Sequence, residues 1–196
     1  MNNKQRVLRL KIVMLGDGAV GKTSIVQRYM GLGFRPVYLM TIGANFYARE
    51  ITYYDEKFGK LHVTLVVWDL AGQPRFNEVR NQYYKGAKLA IIVFDVSKRE
   101  TLKSVKKWAN EFWNNVKEKF PIILVGNKID LRESADTVSH EEGINLAREL
   151  SEELGFEVPY VEASAKTGEN INDIFNKAVE LALRWAVAKS YKGKVS

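Results

Sequence analysis

The sequence predicts an α/β protein built on a doubly wound, mostly parallel β-sheet. Apolar runs of strand length alternate with segments of helical apolar spacing along most of the 196 residues. A glycine-rich loop over residues 16–23 separates the first such run from the first helical segment. Only one pair of strands is joined by a connection short enough for an antiparallel hairpin. In such a sheet, ligands bind at loops beyond the carboxyl ends of the strands.

The glycine-rich loop has the residue pattern of a phosphate-binding loop. Four residues separate its two framing glycines, and a lysine and a threonine follow the second one. Glycines let backbone N–H groups point inward at phosphate oxygens, and the N-terminus of the following helix adds positive potential. Lysine can reach the outer phosphates, and the threonine hydroxyl can bind Mg²⁺. The alternative, a glycine turn with an accidental Lys-Thr pair, fits the strand-to-helix context less well. The candidate ligand-binding residues here are Gly16, Asp17, Gly18, Ala19, Val20, Gly21, Lys22, Thr23 and Ser24.

The elements around this loop follow from apolar periodicity and from turn residues. A buried strand over residues 10–15 precedes it, and a helix over residues 24–30 follows. After the helix, residues 34–43 are expected to form a loop. Strands over residues 44–54 and 61–68 then flank a hairpin turn. The second of these strands leads into Asp69, where a carboxylate beside a phosphate loop would organise Mg²⁺.

The remainder of the chain alternates helix and strand. Ser97 is expected to cap one helix, and Ser139 with Glu142 forms a capping box for the next. The predicted elements are a helix over about 74–85, a strand over 89–95, a helix over about 97–119, a strand over 122–126, a helix over about 139–154, a strand over 158–162, and a last helix from Asn170 or Asn172 to about 188.

Composition limits the class of protein. With 46% apolar residues, the chain can bury the core of one domain unaided. It has no cysteine, which excludes disulfides, thiolate chemistry and cysteine-linked lipid, and Asn2 excludes myristoylation. No apolar run approaches the length of a membrane span, and the polar start lacks a signal peptide. We therefore expect a cytoplasmic protein without a lipid anchor, most simply a monomer.

The net charge of +7 is concentrated at the two ends of the chain. It could be a solvated fringe, or it could give weak electrostatic contact with an anionic membrane. No arginine-rich or aromatic-interleaved stretch supports nucleic-acid binding. The terminal cations are Lys4, Arg6, Arg9, Lys11, Arg184, Lys189, Lys192 and Lys194.

A second motif, Asn127-Lys128-Ile129-Asp130, indicates which base accompanies the phosphates. Guanine presents an N1–H and an exocyclic amine side by side, and one carboxylate can accept hydrogen bonds from both. Adenine presents an acceptor at N1, which a carboxylate would repel. Asp130 therefore favours guanine over adenine, although an ordinary strand-end turn has similar residues.

With these motifs in order, the chain resembles the Ras superfamily of small GTPases, most closely the Rab-like group, over about residues 8–188. The resemblance implies a P-loop G domain with a six-stranded, mostly parallel sheet, one antiparallel hairpin pair and about five helices. Residues 1–7 and 189–196 would then be a basic extension and a short basic tail. The matching segments are 41–43, 68–73, 83–87, 127–131 and 162–166.

The resemblance also implies roles for individual residues. Thr41 would join Thr23 on Mg²⁺, with Asp69 holding the metal through water. The Gly72 N–H would meet the γ-phosphate, and Gln73 would orient the attacking water, with Lys22 as the third catalytic residue. The residues that would surround the guanine nucleotide are Phe34, Tyr38, Lys128, Ser164, Ala165 and Lys166. Packing or turn roles for Phe34, Tyr38 and Thr41, and a surface role for Gln73, remain the alternatives.

The chain departs from the Rab-like pattern in three places. Pro74 stands where Glu is usual and restricts the backbone of Gln73. Ala71 stands where Thr is common, and the C-terminal prenylation cysteine is missing. A built-in catalytic arginine is also absent, since that position is Leu39, so an activating protein is expected to supply one.

The sequence therefore predicts a GTP-binding switch that hydrolyses GTP slowly. Effectors, exchange factors and activating proteins would contact residues 34–43 and 72–84. A non-switching, nucleotide-bound scaffold is the alternative. A P-loop kinase is disfavoured by Asp130, and His62 and His140 are expected to be surface or strand residues.

Overall fold

The computed structural model describes residues 7–34, 41–73, 76–133 and 136–192. These residues form six strands and six α-helices that alternate for most of the chain, with a short 3₁₀ helix at Ile129–Leu131. The strands are β1 Val7–Leu15, β2 Ala44–Asp55, β3 Gly59–Leu70, β4 Leu89–Asp95, β5 Ile122–Asn127 and β6 Tyr160–Ala163. The helices are α1 Lys22–Tyr29, α2 Asn77–Tyr84, α3 Arg99–Lys103, α4 Val105–Val116, α5 His140–Leu154 and α6 Ile171–Lys192.

The strands form one sheet in the order β2-β3-β1-β4-β5-β6. All neighbouring pairs are parallel except β2 and β3, which form the antiparallel hairpin. The predicted fold class is therefore confirmed. Because β1 lies between β3 and β4, connections leave it toward both edges, and this reversal point is where α/β sheets bind ligands.

Helices cover both faces of the sheet, and side-chain alternation along the strands builds a core on each. On one face, Ile12 and Met14 pack with α1 and with the apolar stripe of α6. On the other, Val13 and Leu15 pack with α4 and α5. Ile174, Phe175 and Leu181 of α6 are buried in the first core, whereas Trp185 of the same helix packs against Phe120 in the second. Because both faces of the sheet are packed against helices, the strand ends are held in fixed positions relative to one another.

The prediction of one long helix over about 97–119 is wrong. The segment is divided at Ser104 into α3 and α4, and α4 already ends at Val116, where Lys117 takes a left-handed conformation with φ 55°. Ser97 is not its cap, because the backbone N–H and the hydroxyl of Ser97 both donate to Asp95 Oδ1, at 3.0 and 2.7 Å. The buried carboxylate of Asp95 thus takes the hydroxyl that was expected to start the helix.

Other boundaries differ by a few residues. The β2–β3 ladder continues to Asp55 and Gly59, because the Asp55 side chain accepts two backbone N–H groups and closes a shorter turn than predicted. Strand β6 begins two residues later than predicted, α6 continues to Lys192, and α2 begins at Asn77. Pro74, the predicted start of α2, lies outside the described residues.

The capping box at Ser139 and Glu142 is confirmed, with both reciprocal hydrogen bonds present. In the part of the chain that the structure describes, no helix has the length and apolar character needed to cross a bilayer.

Candidate functional site

The phosphate loop connects the end of β1 to the start of α1, and it tolerates only glycine at two of its positions. Gly16 has φ 132°, and a Cβ atom there would lie 2.1 Å from the Val93 carbonyl oxygen. Gly21 has φ 99°, and a Cβ atom would lie 2.2 Å from Asn127 Nδ2. Both glycines therefore allow a left-handed backbone and a close approach by neighbouring strand ends.

Lys22, the first residue of α1, is buried over this loop, with 6% of its surface exposed. Its ammonium group donates to the carbonyl oxygens of Gly16 and Asp17, both at 2.7 Å. Burial lowers the pKa of Lys22 to about 8, against the opposing effect of Asp69 and Asp17. A buried cation beside this glycine-rich loop suits an anionic ligand.

Three oxygen-bearing side chains meet beside the phosphate loop. The hydroxyls of Thr23 and Thr41 lie 2.9 Å apart, and Thr23 Oγ1 donates to Asp69 Oδ2 at 2.5 Å. Burial raises the pKa of Asp69, while its hydrogen bond to Thr23 and the charge of Lys22 lower it. Asp69 Oδ1 is buried and has no hydrogen-bond partner within the described residues.

This set of oxygens fits a magnesium ion. Adjacent ligands of an octahedral Mg²⁺ with bonds of about 2.1 Å lie roughly 3 Å apart, which is the spacing of the two hydroxyls. Hydroxyl and carboxylate oxygens are the ligands this ion takes in nucleotide sites. The orphaned carboxylate oxygen of Asp69 supplies a further acceptor for a metal-bound water.

The Asn127 side chain connects the phosphate loop to the loop after β6. Asn127 Nδ2 donates to the Val20 carbonyl oxygen at 2.8 Å, and Asn127 Oδ1 accepts the Ala165 N–H at 3.2 Å. The strand register explains why Asn127 reaches the loop after β6, since it lies opposite Ala163 on β6. On its other side it lies opposite Asp95 on β4.

Lys128 forms the second connection, with a left-handed backbone at φ 71°. Its ammonium group donates to the Ala19 carbonyl oxygen at 2.8 Å and lies 2.6 Å from Asp95 Oδ2. Asp95 is almost completely buried at the end of β4. The ammonium group of Lys128 is therefore held by two acceptors, and the aliphatic part of its side chain can form one wall of a base pocket.

Asp130 lies in the 3₁₀ turn that follows, and its side chain is 12% exposed. Ser164 Oγ donates to Asp130 Oδ1 at 2.6 Å, and Lys166 Nζ lies 3.6 Å from Asp130 Oδ2. A carboxylate has about four acceptor sites, so these contacts orient Asp130 and leave acceptors for a ligand.

The residues expected to contact the γ-phosphate also border the phosphate loop. A Cβ atom on Gly72 would lie 2.3 Å from the Gly16 carbonyl oxygen, so the chain after β3 passes directly against the loop. Gln73 follows it and is half-buried. Phe34 packs partly buried against the α1–α6 core, and Tyr38 lies outside the described residues.

Sequence analysis missed a buried polar cluster beside Gln73. Arg80 on α2 is 1% exposed and forms a forked ion pair with Glu111 on α4. Trp108, also on α4, donates its indole N–H to Asp17 Oδ1 at 2.8 Å. One signal was available: Arg80 is four residues from both Phe76 and Tyr84, which places a cation on the apolar face of α2.

A phosphate loop at the reversal point of a doubly wound sheet, with oxygen ligands on one side and an oriented carboxylate on the other, defines a P-loop nucleotide-binding protein. The Ras family model matches residues 11–184, and the chain belongs to this family. It is accordingly a GTP-binding protein and a GTPase.

Its relatives are Rab-like, as the resemblance implied. The chain is 32% identical to the Ypt/Rab-type GTPase avaA of Emericella nidulans, with 98% of this chain and 91% of the relative covered. It is 37% identical to the Ypt/Rab-type GTPase YPT7 of Saccharomyces cerevisiae, with 89% and 82% covered. It is 35% identical to the Ras-related protein RABG3f of Arabidopsis thaliana, with 94% and 86% covered.

Proposed function

We propose that this Ras-family GTPase binds GTP with Mg²⁺ at the described site and alternates between two nucleotide states. The observation that carries the proposal is the meeting of Thr23, Thr41 and Asp69. These residues come from α1, from the loop before β2 and from β3. Thr23 Oγ1 lies 2.9 Å from Thr41 Oγ1 and 2.5 Å from Asp69 Oδ2. A metal site whose ligands come from three separate elements can change its arrangement when the γ-phosphate is lost.

Thr23 and Thr41 would hold the metal directly, and Asp69 would hold it through water. Mg²⁺ bound there would neutralise charge that develops on the β- and γ-phosphates. Lys22 and the backbone N–H groups of the loop and of Gly72 stabilise the same charge from the protein side. Gln73 orients the attacking water for in-line displacement at the γ-phosphate.

The base pocket would be formed by the loops after β5 and β6. Asp130 accepts from the N1–H and the exocyclic amine of guanine. The Ala165 N–H, which donates to Asn127 Oδ1 at 3.2 Å, would be shared with the guanine carbonyl oxygen. The stem of Lys128 lies along the base, while Ser164 and Lys166 orient Asp130, as their contacts of 2.6 and 3.6 Å support. Asn127 couples this pocket to the phosphate loop.

Effectors, exchange factors and activating proteins would read residues 34–43 and 72–84. Thr41 and Gly72 carry the state of the γ-phosphate into these segments. Phe46, Trp68 and Tyr83 form an aromatic surface in this region. The ring centroid of Trp68 lies 5.5 Å from that of Phe46 and 5.1 Å from that of Tyr83. Phe46 is 58% exposed, which is unusual for a phenylalanine on a strand and suits a protein interface.

The test is a set of dissociation constants for GTP, GDP and ATP, each with and without Mg²⁺. Guanine nucleotides should bind far more tightly than ATP, and removal of Mg²⁺ should weaken binding. In an Asp69→Asn variant the dependence on Mg²⁺ should shrink, whereas Asp55→Asn, a carboxylate in the β2–β3 turn, serves as the matched control. Equal affinity for ATP and GTP would contradict the proposal.

Switching is tested separately, by capturing partners with the protein loaded with GDP or with a non-hydrolysable GTP analogue. Different partner sets are expected for the two states. The same partners in both states would instead identify a non-switching scaffold that holds its nucleotide structurally.

We also propose a weak electrostatic contact with anionic membranes through the N-terminal cations Lys4, Arg6 and Arg9. Two of the C-terminal cations have local partners, since Arg184 Nη1 lies 2.6 Å from Glu157 Oε2 and Lys189 Nζ lies 2.5 Å from Glu118 Oε1. Sedimentation with phosphatidylserine vesicles should decrease with salt and on substitution of the N-terminal cations by Gln. A loss that occurs only with Arg184→Gln and Lys189→Gln would contradict the assignment.

A further inference from the structure

A buried cluster on α2 and α4 contacts both the catalytic segment and the phosphate loop. We propose that Arg80 and Trp108 are positioning residues for GTP hydrolysis, which hold Gln73 and Asp17 on one common support, helix α4. The proposal rests on the proposed function and adds residues that the nucleotide itself does not contact.

Arg80 fixes the backbone on both sides of Gly72. Its Nη1 donates to the Ala71 carbonyl oxygen at 2.9 Å and to the Gln73 carbonyl oxygen at 3.1 Å. These carbonyls lie beyond the end of β3, where the strand ladder no longer holds the chain. The planar guanidinium group therefore determines where the backbone of Gln73 lies.

Glu111 on α4 fixes Arg80 in turn. Its two carboxylate oxygens accept from Arg80 Nε at 2.9 Å and from Arg80 Nη2 at 3.1 Å. The Tyr84 hydroxyl donates to Glu111 Oε1 at 2.7 Å. The resulting arrangement allows the arginine little rotation, because each of its three guanidinium nitrogens donates to a protein acceptor.

Trp108 connects the same helix to the phosphate loop. It is 3% exposed, its indole N–H donates to Asp17 Oδ1 at 2.8 Å, and the guanidinium carbon of Arg80 lies 4.7 Å from the centroid of its ring. A Cβ atom on Gly72 would strike the backbone of both Gly16 and Asp17, at 2.3 Å from the Gly16 carbonyl oxygen and 2.6 Å from the Asp17 carbonyl carbon. Helix α4 thus supports both segments that approach each other here. It contacts the phosphate loop through Trp108, and it holds the segment after β3 through Glu111 and Arg80.

A common support matters because hydrolysis requires Gln73 and the phosphate loop to be in register. Small displacements of a catalytic group can reduce a rate by up to about a hundredfold while the ligand still binds. The guanine pocket and the metal ligands lie on other elements. Disturbing the cluster should therefore slow hydrolysis and leave nucleotide affinity nearly unchanged.

The test uses Arg80→Gln and Trp108→Phe, with Trp113→Phe as the matched control. Trp113 is also a buried tryptophan on α4, but its indole N–H donates to the Phe120 carbonyl oxygen at 2.9 Å, away from the site. Single-turnover hydrolysis of bound GTP should slow about tenfold for both test variants. The dissociation constant for GDP should stay within about twofold of wild type, and the control should match wild type in both measurements.

A merely structural role is distinguished by repeating both substitutions in a Gln73→Leu background. If the cluster acts mainly through Gln73, each substitution should slow the residual hydrolysis of this background by a much smaller factor than it slows wild type. Rates that equal wild type for Trp108→Phe, or equal slowing with and without Gln73, would overturn the proposal. If Arg80→Gln fails to fold because Glu111 is left unpaired, Trp108→Phe still decides the matter. Failure of wild type to bind guanine nucleotides would instead overturn the proposed function.

Discussion

Asp69 lies near the carboxyl end of β3 and Asp130 lies just beyond the carboxyl end of β5, but the surroundings of the two carboxylates differ. Asp69 is fully buried, and burial raises its pKa although Thr23 and Lys22 oppose this. Asp130 is partly exposed and is held by Ser164 and Lys166. The first environment suits a metal, whose charge compensates desolvation. The second suits a neutral base that offers two N–H donors.

Substitution of Asp130 by Asn should weaken GDP binding on the order of a hundredfold, because two charge-assisted hydrogen bonds to guanine are lost. The substitution keeps the size of the side chain, so the fold should be unaffected. Titration of GDP binding measures the effect, with Glu133→Gln, an exposed carboxylate three residues on, as the control. An Asp130→Asn protein with wild-type affinity would show that the carboxylate does not contact the base.

At the scale of the elements, local hydrogen bonds decide where helices start. Ser139 and Glu142 satisfy the first turn of α5 through a capping box, as their spacing predicts. Ser97 has the same side chain type but donates to Asp95, so α3 starts without a side-chain cap. A serine therefore caps a helix only where no stronger acceptor is nearby.

The capping box should make the stability of α5 depend on pH. The backbone N–H of Ser139, followed by the Arg99 guanidinium, lowers the pKa of Glu142 from 4.5 to about 2. A carboxyl group with a lowered folded-state pKa stabilises the protein above pH 4.5, and that contribution is lost as the pH falls toward 2. Wild type should thus be more stable than Glu142→Gln at neutral pH, and the difference should vanish in acid.

Denaturant unfolding at a series of pH values measures this difference. The effect should be modest and should weaken with salt, because the Glu142 side chain is 39% exposed. Glu141→Gln, which changes the adjacent exposed carboxylate of the same turn, is the matched control. A difference between wild type and Glu142→Gln that is constant from pH 7 to about pH 2 would contradict the linkage.

In the whole molecule, the site connects elements that the chain keeps far apart. Val20 and Asn127 are hydrogen-bonded across 107 positions, and Arg28 on α1 donates to the Lys166 carbonyl oxygen across 138 positions. A ligand that contacts all these loops stabilises the folded state as a whole.

We therefore expect GDP with Mg²⁺ to raise the melting temperature. At a free concentration about a hundred times Kd, the stabilisation is about 2.7 kcal/mol, which corresponds to roughly 5 to 10 °C for a domain of this size. ATP at the same concentration should have no such effect, and this serves as the control. Equal shifts with both nucleotides would indicate binding through the phosphates alone. Differential scanning fluorimetry is sufficient for the measurement.

The contributions of sequence and structure can be separated residue by residue. Lys22, Thr23, Asp69 and Asp130 were predicted because each stands in a short motif whose chemistry is local. Arg80 and Trp108 belong to no such motif, and their partners lie 31 and 91 positions away in the chain. Likewise, nothing in the sequence around Ser97 shows that Asp95 would take its hydroxyl.

By itself, the sequence determined the sheet class, the single hairpin, the phosphate loop and the preference for guanine. Periodicity, glycine spacing and hydrogen-bonding capacity are properties of short segments, and they can be read before folding. Only the tertiary structure decided that the Thr23 and Thr41 hydroxyls meet at 2.9 Å, and that α4 holds both Gln73 and the phosphate loop through Arg80 and Trp108. These contacts depend on how the helices pack on the sheet, because packing brings together side chains that are distant in the chain.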